Sequence, residues 1–152
     1  MKKLLALFVV AMIGLTGYAQ DNEFFKMMRE MYQDEFVDVV NENMNLNEEQ
    51  NALFQPIFQE FLTDLGTVMD AKLATQGKFA KYFDSMTDEQ SIMILKEVKT
   101  NTKNYTNLIS KYTKKVSKAT DPQTAFRFFL IVEKVKNTID YSVIQNIPLV
   151  KN

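Results

Sequence analysis

Acidic side chains recur every four residues near the start of the chain, at Glu30, Asp34, Asp38 and Glu42. On a helix this spacing stacks the four carboxylates along one side, where they could hold a divalent cation or contact a basic partner. A calcium loop also needs amide and carbonyl oxygens and a sharp turn, and this regular row supplies neither. The spacing therefore favours a solvated helix face, and we predict no metal site.

Residue types that carry catalysis are scarce. The sequence contains no His and no Cys, so the usual general base, thiol nucleophile and zinc ligands are missing. It contains no glycine-rich phosphate loop either. Serine, lysine and carboxylates are present, but rows of helical charges look alike whether they catalyse or face solvent. We predict no catalytic residues, no cofactor and a protein that is not an enzyme.

Two short stretches with the same pattern organise the rest of the chain, namely residues 46–50 (LNEEQ) and 86–90 (MTDEQ). Each has an apolar residue, a helix-capping residue, two acidic residues and a glutamine. This pattern predicts a capping box, in which the cap side chain and the glutamine each bind a backbone N–H of the first turn. The residues that carry the pattern are Leu46, Asn47, Gln50, Met86, Thr87 and Gln90.

The two boxes and the hydrophobic periodicity predict an all-α, four-helix protein, an antiparallel helical hairpin or bundle. We expect a first helix over residues 21–43, a second from the Asn47 cap to about Gly77, a third from Thr87, and a fourth that begins at Pro122. Glycine suits a helix C-terminus, so Gly77 is expected to end the second helix. Pro56 lies inside that long helix and predicts a kink.

The apolar residues of three helices fall on one face each. For the second helix the predicted buried face is Leu53, Phe54, Ile57, Phe58, Phe61, Leu62, Leu65 and Met69. The third helix presents a strict three-four alternation, the seam Leu95, Val98, Thr102, Tyr105, Ile109, Tyr112 and Val116. For the fourth helix the predicted buried face is Ala125, Phe128, Phe129, Val132, Val135, Ile139 and Val143. The third seam is polar for a zipper, which favours packing within the domain or a partly open groove.

The first residues indicate export. Lys2 and Lys3 precede the apolar run Leu4–Leu15, and small residues follow up to Ala19, a pattern typical of a secretory signal peptide over residues 1–19. The run is shorter than the roughly 20 residues that span a bilayer, so we predict no integral membrane anchor. Residues 20–152 are then one helical domain with 16 basic and 19 acidic residues, a net charge of −3. That charge predicts no binding to nucleic acid.

Two groups of side chains are candidates for binding other proteins. Methionine and aromatic residues adapt to many apolar partners, although core filling explains them as well. A lysine row on the third helix could attract acidic partners, or face the acidic row within one chain or across a homodimer. The candidate residues are Phe24, Met27, Met28, Met31, Lys99, Lys103 and Lys111.

With its signal peptide, cysteine-free helical chain and two boxes, the sequence resembles the Spy/CpxP superfamily of periplasmic proteins, whose marker is the LTxxQ motif. Asn47 stands for the usual threonine in the first box and Met86 for leucine in the second. Residues 54–58 (FQPIF) and 147–150 (IPLV) are similar to the Bacteroidetes branch of that superfamily.

The resemblance implies a periplasmic envelope-stress protein. Its expected role is that of a chaperone that binds unfolded or misfolded proteins without ATP. The alternative is a non-catalytic regulatory or structural protein that binds one envelope signalling partner. The superfamily also implies a possible homodimer with a basic client-binding face.

Overall fold

The computed structural model describes residues 33–34 and 36–144. The helices in this part of the chain are α1 (residues 33–34 and 36–43), α2 (Glu48–Tyr82), α3 (Asp88–Ala119) and α4 (Pro122–Ile144), with a 3₁₀ turn over Phe83–Ser85. These residues contain no strand, so the predicted all-α helical bundle class is confirmed. No described helix combines the length and the apolar character that crossing a membrane requires.

Some predictions fall outside the described residues. They are the signal peptide over residues 1–19, the candidates Phe24, Met27, Met28 and Met31, and the end of the chain after residue 144.

The described residues form two compact units. The first contains α1, the following residues to Asn45, and α4 from Arg127 onward. The second contains residues 46–126, which include α2, α3 and the first turn of α4. The single domain expected over residues 20–152 stays a prediction.

Both predicted capping boxes are present. The backbone N–H of Gln50 donates to Asn47 Oδ1 at 2.8 Å, and the N–H of Asn47 donates to Gln50 Oε1 at 3.2 Å. At α3 the N–H of Thr87 donates to Gln90 Oε1 at 2.9 Å, and that of Gln90 donates to Thr87 Oγ1 at 3.3 Å. The substitutions of Asn for Thr and of Met for Leu leave the capping bonds intact, because neither removes the cap oxygen.

Helices α2 and α3 pack as an antiparallel hairpin in the second unit. Lys78 of α2 binds Glu97 of α3. Further from the turn, Asp64 binds Lys111 and Glu60 binds Lys115. The partners step back along α2 as they step forward along α3, which defines the antiparallel register.

The end of α2 differs from the prediction. Gly77 does not end the helix, which continues through Tyr82, and no described glycine has a positive φ angle. Glycine inside a helix costs about 1 kcal/mol relative to alanine. Two contacts offset that cost: the ion pair of Lys78 with Glu97, and the edge-to-face pair of Phe79 and Phe83 at 5.7 Å between ring centroids. The helix also runs without a break through Pro56; the kink stays a prediction.

A stack of aromatic rings forms the centre of the hairpin. Phe58 lies between Phe54 and Phe61, with ring centroids 5.3 and 6.2 Å apart, and Tyr112 of α3 meets Phe61 edge-to-face at 5.4 Å. All four side chains are buried. The predicted face of α2 is thus largely correct, but Leu53 is 46% exposed.

The first unit has its own set of buried apolar side chains. Those that are buried are Phe36, Val40, Met44, Phe128, Ile131, Val132 and Val135. The stripe predicted for α4 is wrong at Phe129, which is 37% exposed, and it omits Ile131, which is buried. The predicted burial of Ile139 and Val143 concerns side chains outside the description.

Arg127 and Asn45 terminate α1. The guanidinium of Arg127 donates to the carbonyl oxygen of Met44 at 2.6 Å, which satisfies an acceptor that a helix end leaves unpaired. Asn45 has a φ angle of 49°, the left-handed conformation that asparagine tolerates better than most residues. Together these two residues stop α1 without glycine.

Candidate functional site

The predicted seam of α3 is buried along one half of the helix and open along the other. Tyr105, Ile109, Tyr112 and Val116 are buried. Leu95 is 53% exposed, Val98 is 47% exposed, and Thr102 is also exposed. Of the two alternatives predicted for the seam, packing within the domain describes its second half and a partly open groove describes its first half.

A polar layer lies between α2 and α3 beside the open half of the seam. Glu97 and Asn101 of α3 face α2, where Thr75 is buried. Asn101 Nδ2 donates to Thr75 Oγ1 at 2.9 Å, and Lys78 Nζ donates to Glu97 Oε1 at 2.6 Å. These polar groups lie on the same side of α3 as buried Ile94, whereas Leu95 and Val98 of the same turns are exposed.

The carboxylate of this layer is held in its charged form. The hydrogen bond from Lys78 is the main cause that lowers the pKa of Glu97, and the hydroxyl of Thr75 adds to it. A satisfied polar layer fixes the register of two helices more than it adds stability. The layer therefore positions the outer face of α3 relative to α2.

The outer face of α3 carries a shallow groove of about 400 Å³. The residues that line this groove, called the α3 groove below, are Ile92, Leu95, Lys96, Lys99, Thr100 and Lys103. Ile92 is 69% exposed, which is a large exposure for an aliphatic side chain. The apolar side chains of the groove and the lysines at its edges suit a partner segment that has both apolar and acidic side chains.

The three lysines of the α3 groove make no ion pair with any described residue. Lys111, two turns further along α3, differs from them. Its Nζ donates to Asp64 Oδ2 at 2.7 Å and lies 4.8 Å from the ring centre of Tyr112. Lys96, Lys99 and Lys103 are thus available to a partner, whereas Lys111 is already engaged within the hairpin.

Asp64 is the centre of a second polar cluster in the hairpin. The hydrogen bond from Lys111 is the main cause that lowers the pKa of Asp64, and the hydroxyl of Tyr112 donates to the same oxygen at 2.7 Å. Burial raises the pKa of Tyr112 above its ordinary value, so its phenol stays protonated and donating. This arrangement supports packing of α2 on α3 and offers no activated base.

The structure brings together only part of the predicted binding set. Lys99 and Lys103 lie in the α3 groove, Lys111 lies outside it, and the four candidates between Phe24 and Met31 are outside the described residues. Sequence reasoning missed Ile92, and it left Lys96 of the lysine row out of the binding candidates. The three-four alternation of the seam requires an apolar residue four positions before Leu95, but Ile92 lies only three positions before it. This mismatch was the signal in the sequence that Ile92 belongs to a second apolar edge of α3.

The glutamine of the first box has a role that the second lacks. Besides closing its capping box, Gln50 donates through Nε2 to Asp121 Oδ2 at 2.9 Å and contacts Thr124 Oγ1 at 3.3 Å. Asp121 in turn caps α4, accepting from the backbone N–H of Thr124 at 2.9 Å. The first box therefore joins the beginnings of α2 and α4 within the second unit.

Hydrogen bonds to Asp121 hold it ionised. The backbone N–H of Thr124 is the main cause that lowers the pKa of Asp121, followed by the Thr124 hydroxyl, and Gln50 adds to the effect. A carboxylate with a lowered folded-state pKa stabilises the fold above its unfolded pKa, and that stability is lost as the pH falls. We expect stability to fall from about pH 5 downward.

An Asp121→Asn variant tests this assignment. Asparagine caps helices nearly as well as aspartate but does not titrate, so the variant should lose less stability than the wild type between neutral pH and pH 3. Urea unfolding followed by circular dichroism at several pH values measures the difference. An equal loss in both proteins would show that Asp121 does not contribute to the acid dependence.

The described residues contain no cluster of three His, Cys, Asp or Glu side chains that could hold a metal ion. Comparison with protein-family models, with curated proteins and with solved structures found no match to this chain. What the fold and the site define is therefore an all-α protein with an exposed, basic and apolar groove on one helix of a hairpin.

Proposed function

We propose that this protein is exported to the periplasm and binds unfolded or misfolded envelope proteins there without ATP, as a chaperone. The observation that carries the proposal is the α3 groove, where exposed Ile92 and Leu95 lie among three lysines that pair with no described residue. Lysines speed the encounter with an acidic client, and the apolar floor then holds it.

Two further observations support this proposal. The sequence carries an export signal pattern, and its boxes resemble the Spy/CpxP superfamily, in which chaperoning of envelope proteins is the expected role. In this chain the boxes cap α2 and α3, so their role is structural and the binding residues lie elsewhere. An envelope-stress role follows from the same resemblance.

A second candidate is a regulatory or structural envelope protein that binds one signalling partner. The size of the α3 groove favours it, because residues 92–103 span only about 17 Å of helix. A client chaperone uses a broad surface, whereas one dedicated partner needs a small one.

Light scattering separates the two candidates. An unfolding model client is mixed with purified exported protein without ATP, and we expect suppression of aggregation at near-stoichiometric ratios. The double variant Lys99→Glu/Lys103→Glu should reduce the protection about tenfold at low salt, because charge complementarity sets the capture rate. Lys114→Glu is the matched control, since Lys114 is also exposed on α3 but lies outside the groove.

Absence of protection with several unrelated clients, from a folded sample, would exclude general chaperoning. The next experiment would then be a pull-down with the wild type and the double variant, to find one envelope protein that only the wild type retains.

A further inference from the structure

The open half of the α3 seam continues a surface that is already a helix–helix interface. From Tyr105 to Val116 the seam is buried, and its polar neighbours on the same helix bind α2. From Leu95 to Thr102 the same three-four alternation continues, and no described helix covers these exposed side chains. An apolar seam with one half covered and one half open is a place where a further segment can extend the packing.

The spacing of the open half selects the conformation of that segment. Leu95, Val98 and Thr102, called the open seam below, follow the three-four alternation that receives side chains from a second helix. An extended strand presents side chains with a period of two and does not match this spacing. Glu97 and Asn101 face α2, and the open seam lies beside them on the same helix, where its side chains are exposed.

The lysines beside the open seam indicate which residues the bound helix should carry. Lys96, Lys99 and Lys103 line the groove that shares Leu95 with the open seam, and they pair with no described residue. A helix laid along the seam brings its flanking residues beside this lysine row. Acidic flanking residues would form new ion pairs there, and basic ones would be repelled.

We propose that the open seam binds an acidic amphipathic helix, whose apolar residues continue the packing that Tyr105 and Ile109 begin. The inference rests on the proposed binding function and names the conformation and the charge of the bound segment. Client proteins would then be held through segments that fold into helices on α3, in the helix-in-groove mode of recognition.

A designed peptide tests this directly. The probe is a fluorescent peptide of about three heptads, with leucine at the seam positions and glutamate beside them, kept below its self-association concentration. We expect binding to the purified exported protein in the micromolar range by fluorescence anisotropy. Circular dichroism should show more helix in the mixture than in the sum of the two components.

Variants locate the binding site. Leu95→Gln/Val98→Gln should weaken peptide binding at least about tenfold, because both apolar contacts are lost. Leu53→Gln is the matched control, since Leu53 has a similar exposure on α2 and should leave the affinity unchanged. Equal helicity and equal unfolding midpoints of the variants verify that each one is folded.

Several results would overturn the proposal. One is equal affinity for a scrambled peptide of the same composition, and another is equal affinity for a peptide with lysine in place of glutamate. A third is a wild-type homodimer that Leu95→Gln/Val98→Gln dissociates in sedimentation, because the seam would then bind a second copy of this chain.

The proposed chaperone function can fail separately. If the protein suppresses aggregation but does not bind the peptide, the helix-docking proposal is wrong and the chaperone proposal is supported. Peptide binding without suppression of aggregation would support the open seam and indicate one dedicated helical partner.

Discussion

Phe61→Ala is expected to lower the free energy of unfolding by about 3–5 kcal/mol, the range for deleting a fully buried phenylalanine. Phe61 is fully buried and joins the two helices of the hairpin, because it stacks near Phe58 on its own helix and meets Tyr112 of α3 edge-to-face. The variant therefore removes both the buried apolar area and the contact that orients Tyr112 toward Asp64.

Urea unfolding followed by circular dichroism measures this effect. Leu53→Ala is the control on the same helix, because Leu53 is 46% exposed and should change the free energy of unfolding by less than about 1 kcal/mol. A similar effect of the two substitutions would mean that the aromatic stack is not the core of the hairpin.

The helix beginnings could be predicted because their signals are local. Asn47 and Gln50, like Thr87 and Gln90, satisfy each other across a single turn. Asp121 and Pro122 mark the start of α4 in the same way. Nothing outside the turn has to be known, so capping chemistry alone places these three boundaries.

The last residue of α2 and the buried face of α3 could not be predicted from local signals, because both depend on contacts with residues that are distant in the sequence. Lys78 binds Glu97, nineteen residues away, and this contact helps α2 to continue past Gly77. The same contact turns Glu97 inward. The apolar periodicity that includes Leu95 and Val98 does not indicate this inward position of Glu97. Such a pattern is built from apolar residues alone and cannot show that a polar side chain has a partner on another helix.

The same partners determine where the candidate site lies. Thr75, Glu97 and Asn101 bind one another on the inner side of the hairpin. On the outer side, Ile92 and Leu95 are exposed beside lysines that form no ion pair with the described chain. Lys99 and Lys103, two of the six residues that line the α3 groove, were predicted as binding residues, whereas the exposure of Ile92 and Leu95 depends on tertiary contacts.

The two boxes allow a comparison within one molecule. Gln50→Ala should lower the free energy of unfolding by about 2 kcal/mol, because it removes the capping bond to Asn47 and the side-chain bonds to Asp121 and Thr124. Gln90→Ala removes the matching capping bond at Thr87 and should have an effect of about 0.5–1 kcal/mol.

The difference between these effects measures the bonds that only Gln50 makes, since helix propensity changes in the same way at both positions. The double variant Gln50→Ala/Thr124→Ala supplies the remaining check. Gln50 and Thr124 share the carboxylate of Asp121, so their effects should not add, and urea unfolding of the single and double variants measures the coupling. Equal effects of Gln50→Ala and Gln90→Ala would show that both boxes act only as caps, and that the beginnings of α2 and α4 are joined by other contacts.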